Sequence, residues 1–431
     1  MAGKAADAQQ VRFGGFMQDL DLWDKDFFGV SQNEAVQTDP QQRLLLSYVY
    51  ATVRHAGETS RSVKGSDRAV LVGIASIEYS GIANKSSVPL SPYTALQASL
   101  SVACGNISYT YGLTGPSLSI DTACSASLVS TYFATGLLSN GDNASAISAG
   151  VNLTLLPNTF VVLEFSRMLA PDGRCKTLDQ SGDGYVRAEG CGLIQLKPVV
   201  DVDQQFVCNV HGAAVNQDGR SSSLTAPNGP SQQGALRSSL ENAGVRAGQY
   251  EQHEMHGTGT SLGDPIEIGA SSAVLLQVKG QRGPLTLFAA KTAFGHGEPV
   301  AGMIGLLHVL SSMTHTFTWL IPSVRTMNPY VAETTNIAKL TLSPRENFAM
   351  VRTHPAETSV GGVSAFAYQG TNAHAIIGTG AQMAADVMLQ EMPMERQSLW
   401  VATRAHPLLG RVLNGKAGVV VGVGCWKAAA A

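Results

Sequence analysis

The chain has 431 residues, of which 44% are hydrophobic and 14% are charged, with 29 Lys and Arg against 32 Asp and Glu. This composition excludes a largely disordered chain, and the lack of any basic run argues against a nucleic-acid groove or an anionic membrane surface as the partner. No apolar stretch approaches the roughly 18 residues of a membrane-spanning helix, and the first residues contain no apolar signal core. We therefore expect a folded, cytoplasmic protein that binds small ligands or other proteins.

Helix-like and strand-like segments alternate along the chain, which is typical of an α/β fold. Several of the strand-like runs are apolar without alternation, which indicates strands buried on both faces within a layered structure. In chain order the pattern predicts helix 41–56, strand 69–75, strand 117–121, helix 125–138, strand 144–153, strand 206–215, helix 232–243, strand 285–290 and helix 303–314.

Two changes in composition divide the chain. Residues 197–205, with one proline, two aspartates and two glutamines, are interpreted as a connector between two halves of similar style. After residue 380 the chain becomes rich in Met and Gln and ends in Gly-Val repeats and alanines. We expect halves over 1–199 and 200–380, followed by a tail, 381–431, that is too short to hold a core of its own.

Cys124 is the candidate nucleophile among six cysteines, because it follows a short strand and opens an apolar-faced helix between small neighbours. The amides and dipole of a helix start favour a thiolate, so this position predicts a lowered thiol pKa. The alternative is a small buried core cysteine. The remaining five lack this context, and no CxxC spacing indicates zinc or a disulfide framework; they lie at positions 104, 175, 191, 208 and 425.

The segment 253–270 places His256 directly before Gly257-Thr258-Gly259-Thr260. Glycines let the backbone approach a ligand closely, the two threonine hydroxyls could hold an amide-bearing chain, and the imidazole could donate to a developing oxyanion. A surface histidine is the alternative, and His253 is interpreted in that way. Further along, Asp264, Pro265 and Glu267 predict a helix start with an acidic cap.

Lys291, His296 and Glu298 lie within eight residues of one another ahead of an apolar helix. One histidine and one carboxylate supply too few ligands for a metal ion. A solvated turn is the alternative that this segment favours when it is taken alone. His308, inside the following helix, is interpreted as a packed core residue.

Residues 361–377 predict a glycine-containing turn between two β-like runs, and the turn carries Tyr368. Backbone amides of such a turn could complete an oxyanion hole. Asn372 and His374 are interpreted as structural hydrogen-bonding residues.

Taken together and in order, these segments resemble the ketosynthase domain of type I modular polyketide synthases, members of the thiolase-like β-ketoacyl synthase family. The resemblance runs from about residue 13 to residue 377. It implies a five-layered αβαβα fold made of two related halves. The matching motifs are FFGVSQNEAVQTDPQQRLLL at 27–46, DTACSASL at 121–128, DGYVRAEGCG at 183–192, VNQDGRSSSLTAPNGP at 215–230, HGTGT at 256–260, KTAFGHGEPVAG at 291–302 and GTNAH at 370–374.

The resemblance implies a decarboxylative condensation in which Cys124 takes an acyl group as a thioester and a malonyl-type extender then attacks it. His256 and His296 would stabilise the enolate oxygen and assist decarboxylation. Acyl group and extender would arrive on the phosphopantetheine arm of an acyl-carrier protein, with no metal and no cofactor bound by this chain, and the protein would form a homodimer. The implied accompanying residues are Lys291 and Glu298 as supporting charges, the backbone amides of Cys124 and Tyr368 for the oxyanion, and Thr258 and Thr260 for pantetheine.

Two loops depart from the family pattern. Gly297 and Pro299 stand where the family has a bulky apolar residue and alanine, and 367–369 read Ala-Tyr-Gln where it has a phenylalanine and two glycines. The family's amino-terminal strand, expected before FGGF, is also missing. These departures keep two alternatives open: a relative that transfers acyl chains without elongating them, and a non-catalytic partner that holds carrier proteins.

The tail carries a second resemblance. Residues 396–415 resemble the linker and the opening HPLLG of a polyketide synthase dehydratase domain. Such a start directly after a ketosynthase would suit a system whose acyltransferase acts in trans, and a truncated gene model is the alternative. The resemblance implies no catalytic role for His406 in this chain.

Overall fold

The structure is a computed structural model that describes residues 13–83, 91–97, 99–199, 206–276, 284–315, 321–334, 340–341, 359–379, 394, 397–399 and 420–422. The helices of these residues are α1 (Gln32–Gln37), α2 (Pro40–His55), α3 (Ser60–Val63), α4 (Glu78–Ala83), α5 (Pro92–Gln97), α6 (Ser101–Tyr111), α7 (Ala126–Ser139), α8 (Pro157–Phe165), α9 (Gly229–Ala243), α10 (Gly263–Ser271), α11 (Lys291–Phe294), α12 (Ala301–His315) and α13 (Pro329–Thr334). The strands are β1 (Leu22–Trp23), β2 (Ala69–Gly73), β3 (Ser117–Ile120), β4 (Ala146–Asn152), β5 (Gly190–Leu196), β6 (Asn209–Gln217), β7 (Gln252–Glu254), β8 (Leu285–Phe288), β9 (Leu340–Thr341), β10 (Ser359–Phe366), β11 (Thr371–Thr379), β12 (Gln397–Ser398) and β13 (Val420–Gly422).

Two mixed sheets form the frame of the molecule. The first has five strands in the order β13-β5-β4-β2-β3, in which β2 runs parallel to β3 and β4, and β5 runs antiparallel to β4. The second has six strands in the order β6-β11-β10-β7-β8-β9, with β10 and β11 joined as an antiparallel hairpin. Each half of the chain therefore contributes most of one sheet.

Five layers result from the way the helices pack on these sheets. Helices α7 and α12 each contact both sheets and so form the central layer. Helices α2 and α6 cover the outer face of the five-stranded sheet, and α9 covers that of the six-stranded sheet, with α10 packed against α9. The predicted αβαβα arrangement is confirmed.

The unbroken apolar runs are strands buried on both faces, as predicted. Every residue of β2 and of β4 is buried, because α7 covers one face of these strands and the outer helices cover the other. The predicted helices 41–56, 125–138, 232–243 and 303–314 are confirmed as α2, α7, α9 and α12 with shifted ends. Helix α9 begins three residues earlier than predicted because Asn228 caps it, accepting the N–H of Ser231, with a proline in its first turn.

Strand β6 is displaced from its predicted position of 206–215. It covers Asn209–Gln217, since Asn216 and Gln217 pair with Asn372 and Thr371 of β11. Pairing with β11 extends β6 into these polar residues, and the hydrophobic pattern of the sequence does not predict this extension. Residues 200–205 of the predicted connector lie outside the described residues.

The described residues of the tail pack on the first half. Strand β12 pairs with β1, and Leu399 lies in the hydrophobic core formed with Trp23, Leu45 and Leu46. Strand β13 adds to the five-stranded sheet beside β5. No helix among the described residues is long and apolar enough to span a membrane.

Candidate active site

Cys124 lies in a sharp turn between β3 and α7. The 3-10 turn Ala123–Ser125 joins these elements, and Ala123 has φ +49°, a left-handed backbone that residues with a side chain rarely adopt. Its N–H donates to Oδ1 of Asp121 at 2.9 Å, which holds the turn. The turn therefore presents Cys124 two residues ahead of α7, as the sequence predicts.

The predicted lowering of the Cys124 pKa is wrong. Burial raises the pKa of this thiol to about 12, and the negative charge of Glu298 adds to the effect. The positive charge of Lys291 and the backbone N–H groups of Tyr368 and Cys124 act in the opposite direction but are outweighed. The helix start and Lys291 favour the thiolate, but burial of the sulfur is the larger effect and favours the neutral thiol.

His296 is the base within reach of this thiol. Its Nε2 lies 3.0 Å from Sγ of Cys124, and its side chain is fully buried. Nδ1 is buried without a hydrogen-bond partner among the described residues. Burial, assisted by the positive charges of Lys291 and Arg187, holds the pKa of His296 well below 6.5. The ring is therefore neutral, and a solvated turn at this segment is excluded.

The departures at 297 and 299 fit this loop. A Cβ on Gly297 would lie 2.8 Å from Cγ1 of Val300 and 2.9 Å from Cδ1 of Ile304, so these two side chains fill the space that a larger residue would need. Pro299 lies in the first turn of the 3-10 helix Glu298–Val300, where its fixed φ is compatible. The side chains of Val300 and Ile304 thus leave room for glycine at 297 but not for a larger residue.

His256 follows β7 and faces the same sulfur region. The N–H of Phe366 donates to Nδ1 of His256 at 3.3 Å, so in the neutral ring the proton is on Nε2. Its ring lies 5.5 Å from that of His296, at 88° to it. Burial and the nearby positive charge of Lys291 keep the pKa of His256 well below 6.5. The ring is therefore a neutral hydrogen-bond donor.

The loop after His256 is held by buried carboxyl groups. Glu267 accepts the N–H of His256 at 2.6 Å and that of Gly257 at 2.8 Å, and burial raises its pKa to about 8. Asp264 accepts the N–H of Gly259 at 3.1 Å and that of Leu178 at 2.8 Å. The predicted capping role of Asp264 is wrong: α10 begins at Gly263, and the carboxylate faces the loop.

The two threonines of this loop lie side by side, with Oγ1 of Thr258 3.5 Å from Oγ1 of Thr260. Thr258 is buried, while Thr260 is partly exposed and its Oγ1 accepts the N–H of Gly263. Between them, Gly259 has φ +77°, and a Cβ there would lie 2.5 Å from the backbone N of Lys176. Glycine is therefore required for the loop to approach its neighbour.

Tyr368 lies in the hairpin turn between β10 and β11, opposite Cys124. Within residues 367–369 no residue has a positive φ; the left-handed position of the turn is Gly370, at φ +98°. Gln369 closes the turn, because its side chain donates to Oγ1 of Thr371 and accepts the N–H of that residue. The departure from glycine at these positions therefore leaves the turn unstrained.

Lys291 and Glu298, predicted as supporting charges, both lie beside the two histidines. Lys291 is buried, and its charge acts on Cys124, His256 and His296. Glu298 is bound by Arg187, a residue within the motif 183–192 that sequence reasoning did not single out. The sequence signal that could have indicated it is an arginine placed between the glycines of a motif rich in small residues.

A second buried polar cluster lies beneath β7. The hydroxyl of Tyr250 is 2.9 Å from Nδ1 of His253 and 3.2 Å from Nε2 of His374, while Ser271 and Ser364 contact the other ring nitrogens. His253 is fully buried, so its interpretation as a surface residue is wrong. His374 is the structural residue that the sequence predicts.

Burial lowers the pKa of His253 to about 3, below the 6.5 of an exposed histidine. The neutral ring thus contributes stability that is fully present above pH 6.5 and is lost as the pH falls from 6.5 towards 3. We expect wild type to lose about 1 kcal/mol relative to His253→Gln between pH 6.5 and pH 5.5, because the unfolded histidine is already half protonated at pH 6.5. Urea unfolding of both proteins measures this difference; a difference that stays constant with pH contradicts it, and the pH 7.5 to 8.5 interval provides the control.

The remaining sequence interpretations concern structural residues. Nδ1 of His308 lies 2.7 Å from Oε2 of Glu254, and Asn372 donates to Asp218 at 2.7 Å, as expected of packed core and structural hydrogen-bonding residues. Within the described ranges no group of three or more His, Cys, Asp or Glu side chains could hold a metal ion. The cysteines at 104, 175, 191 and 208 are free thiols, and Cys425 lies outside the described residues.

Comparison with known families finds two adjacent matches. The N-terminal domain of β-ketoacyl synthases matches residues 1–201, and the C-terminal domain of β-ketoacyl synthases matches residues 207–324. The chain is 39% identical to mycoketide-CoA synthase of Mycobacterium tuberculosis over 377 residues, 86% of this chain and 9% of that protein. It is 36% identical to erythronolide synthase of Saccharopolyspora erythraea over 411 residues, 95% of this chain and 11% of that protein.

Solved structures give a similar result. The ketosynthase from module 6 of the bacillaene synthase of Bacillus subtilis 168 superimposes with a TM-score of 0.76 at 32% identity, covering 84% of this chain and 63% of that one. The oxazolomycin ketosynthase domain of Streptomyces albus JA3453 gives a TM-score of 0.76 at 30% identity, covering 84% and 64%. The chain thus spans about a tenth of the length of these two curated relatives and slightly under two thirds of these solved chains.

Proposed function

Because the chain belongs to the β-ketoacyl synthase family, we propose that it is a ketosynthase catalysing decarboxylative Claisen condensation between a Cys124-bound acyl group and a malonyl-type extender. The observation that carries the proposal is the 3.0 Å contact between Nε2 of His296 and Sγ of Cys124. His256 lies beside this pair, and the backbone N–H groups of Cys124 and Tyr368 are close enough to lower the thiol pKa. A nucleophile, a base, a neutral donor and two amides thus share one site.

The first half-reaction is acyl transfer. Since the thiol is neutral at rest, Cys124 attacks the acyl thioester carbonyl as His296 removes its proton through Nε2. The N–H groups of Cys124 and Tyr368 stabilise the tetrahedral oxyanion. The thioester C–S bond to the carrier then breaks, and the carrier thiolate receives the proton held by His296.

The second half-reaction forms the carbon–carbon bond. The Nε2–H of His256 donates to the thioester oxygen of the extender while the extender carboxylate leaves as CO₂, so that charge collects on that oxygen as an enolate. An acylated Sγ no longer donates to His296, whose neutral ring then carries its proton on Nε2 and donates to the same oxygen. The enolate carbon attacks the acyl carbonyl on Cys124. The C–S bond breaks and Cys124 leaves as a thiolate, which takes up one proton from solvent, while the carrier retains the β-ketoacyl chain.

The proposal includes an acyl-carrier protein as partner. Its phosphopantetheine arm would reach the site past Thr258 and Thr260, whose adjacent hydroxyls are suited to the amides of that arm. Nothing in this chemistry requires a cofactor bound by the chain, and the cytoplasmic location expected from the sequence belongs to the same proposal.

A homodimer formed through β3 is also proposed. Strand β3 is the edge of the five-stranded sheet, and Leu118 on it is 47% exposed. The exposed aromatic rings Tyr109 and Phe133 lie on α6 and α7, which both pack against β3. An exposed apolar edge strand flanked by aromatic rings favours pairing with a second copy.

We expect Leu118→Asp to convert the dimer to monomer, because it places a charge at the centre of this edge. Light scattering after size-exclusion chromatography measures the mass. Tyr330→Asp, at an exposed apolar position of α13, is the matched control and should leave the mass unchanged. A wild-type mass for the Leu118 variant contradicts the proposed interface.

The resemblance of 396–415 to a dehydratase start, and the acyltransferase in trans that it implies, remain proposals. Most of this segment lies outside the described residues. Addition of a separate acyltransferase, malonyl-CoA and a carrier protein to the purified chain tests whether extender loaded in trans supports turnover.

The experiment that tests the proposed function measures both products of one turnover. With an acyl-pantetheine thioester and malonyl-carrier protein, we expect one CO₂ for each carrier that becomes two carbons longer in its acyl chain and bears a β-keto group. Release of CO₂ without elongated carrier, or acylation of the protein without either product, contradicts condensation.

A further inference from the structure

We propose that Arg187 is a positioning residue, which holds the loop of His296 against Cys124 through a buried two-point ion pair with Glu298. This inference rests on the proposed function, since it assigns Arg187 a part in the same site. Arg187 is the β-bridge partner of His296, although it lies 111 positions before Glu298 in the sequence.

The side chain of Arg187 makes the contacts that such a role requires. Its Nε donates to Oε1 of Glu298 at 2.6 Å and its Nη2 donates to Oε2 at 2.9 Å, a geometry that fixes both the distance and the plane of the carboxylate. The arginine is 1% exposed, and its guanidinium lies over the ring of Phe160 at 4.6 Å. A planar guanidinium stacked on a ring cannot rotate freely, so the ion pair is rigid.

The backbone around Arg187 holds the other end of the same loop. The N–H of His296 donates to the carbonyl of Val186 at 2.7 Å, and the N–H of Ala188 donates to the carbonyl of His296 at 2.8 Å. His296 is therefore held at its backbone by the neighbours of Arg187, and Glu298 is held by the Arg187 side chain.

The conformation of the loop explains why a side-chain restraint is needed. Glu298 has φ +50°, a left-handed backbone that a residue with a side chain rarely adopts. Such a conformation persists only where its surroundings enforce it, and the two hydrogen bonds from Arg187 are the enforcing contacts on the Glu298 side chain. Without them we expect the loop to relax and His296 to move relative to Cys124.

A second carboxylate completes the arrangement. Oε1 of Glu78 lies 3.8 Å from Nη2 of Arg187, and Glu78 accepts the N–H groups of Leu155 and Leu156 ahead of α8. Arg187 therefore joins the segment before α8 to the His296 loop. Two acidic groups surround this arginine, so its removal would leave negative charge close to the thiol.

The test uses the purified chain and compares Arg187→Met, Arg187→Lys and the double variant Arg187→Met with Glu298→Gln. One readout is the rate of Cys124 acylation by an acyl-pantetheine thioester. The other is the rate of Cys124 alkylation by iodoacetamide between pH 7 and pH 10, which does not depend on condensation. The titratable and charged groups around the thiol are Tyr185, Arg187, His256, Lys291, His296 and Glu298.

We expect Arg187→Met to lower acylation about 100-fold, the loss typical of a displacement of about 1 Å in a reacting group. Its alkylation should also be slower at each pH, because unpaired Glu298 disfavours the thiolate. The double variant should regain wild-type alkylation but not acylation, since it removes the charge without restoring the loop. Arg187→Lys should lower acylation about tenfold with wild-type alkylation, because lysine keeps the charge but not the two-point geometry.

Arg68→Met is the matched control. Arg68 is also a buried arginine paired with a glutamate, Glu58, but it lies by the first residues of β2 rather than at the site. The Arg68→Met substitution should lower the free energy of unfolding and leave the rates of Cys124 acylation and alkylation unchanged. Wild-type acylation in folded Arg187→Lys and Arg187→Met overturns the proposal, and so does a double variant that regains full acylation. If wild type acylates Cys124 but does not condense, the proposed function fails while these comparisons still stand.

Discussion

Replacing Cys124 with alanine is expected to remove the acyl-enzyme and to lower condensation by at least about 10⁴-fold, the loss typical of removing a catalytic nucleophile. The structure offers no substitute among the described cysteines, because Nε2 of His296 contacts Sγ of Cys124, whereas the thiol of Cys175 is bound by the backbone N–H groups of Val186 and His296. Intact-mass measurement after incubation with an acyl-pantetheine thioester detects the adduct directly. An adduct of unchanged yield on the alanine variant would contradict the assignment of Cys124.

Cys104→Ala is the matched control for this prediction. Cys104 is a buried thiol whose Sγ lies 3.2 Å from the carbonyl of Ser101 within α6, away from the site. Its replacement should leave acylation and condensation within about twofold of wild type, since a small buried cysteine acts mainly as a compact apolar residue.

Replacing His296 with alanine is the second change with a large expected effect. Because the Cys124 thiol is neutral at rest, acylation depends on a base, and loss of a positioned base costs about 10³-fold. The pKa of His296 is held well below 6.5, so wild-type acylation should remain constant between pH 6.5 and pH 8. Stopped-time mass measurements across this range give the rates.

His256→Ala separates the two histidines. The hydrogen bond of Sγ of Cys124 is with His296 and not with His256, whose Nε2–H is directed to no acceptor among the described residues and can donate to an extender oxygen. We therefore expect it to lower decarboxylation of malonyl-carrier protein by at least about 100-fold while acylation stays within about tenfold. If both variants lost acylation equally, the separate roles of the two rings would be wrong.

The sequence predicted the order of strands and helices because the central strands have a simple hydrophobic pattern. Strands such as β2 and β4 are short apolar runs that are buried on both faces. Helix α2 begins with a capping aspartate and a proline in its first turn, which the sequence also shows. What it could not predict was set by partners distant in the chain. The polar end of β6 is a strand only because β11 pairs with it.

The features of the site also fall into those that local sequence predicts and those that depend on distant parts of the chain. Local motifs identified Cys124, His256 and His296, because each lies in a glycine- or small-residue-rich turn of recognisable pattern. The raised pKa of the thiol, the buried position of His253 and the ion pair of Arg187 with Glu298 all depend on packing between segments far apart in sequence. Helix-end arguments alone therefore gave the wrong direction for the Cys124 pKa.

The two loops that depart from the family pattern show that neighbouring residues outside a motif can accommodate a change within it. Gly297 differs from the family pattern, but the structure shows Val300 and Ile304 occupying the adjacent space. In the turn that contains residues 367–369, the left-handed backbone occurs at the next residue, Gly370, which this chain retains. Both departures are therefore compatible with a working site, which favours condensation over a transfer-only relative.

The most direct test of the central claim is intact-mass analysis of the purified chain, first with an acyl-pantetheine thioester and then with malonyl-carrier protein. We predict a single acyl adduct on Cys124 that disappears on the second addition, while the carrier gains a β-ketoacyl chain longer by two carbons. A stable adduct that malonyl-carrier protein does not discharge, or a folded protein that takes up no acyl group, would contradict condensation at Cys124.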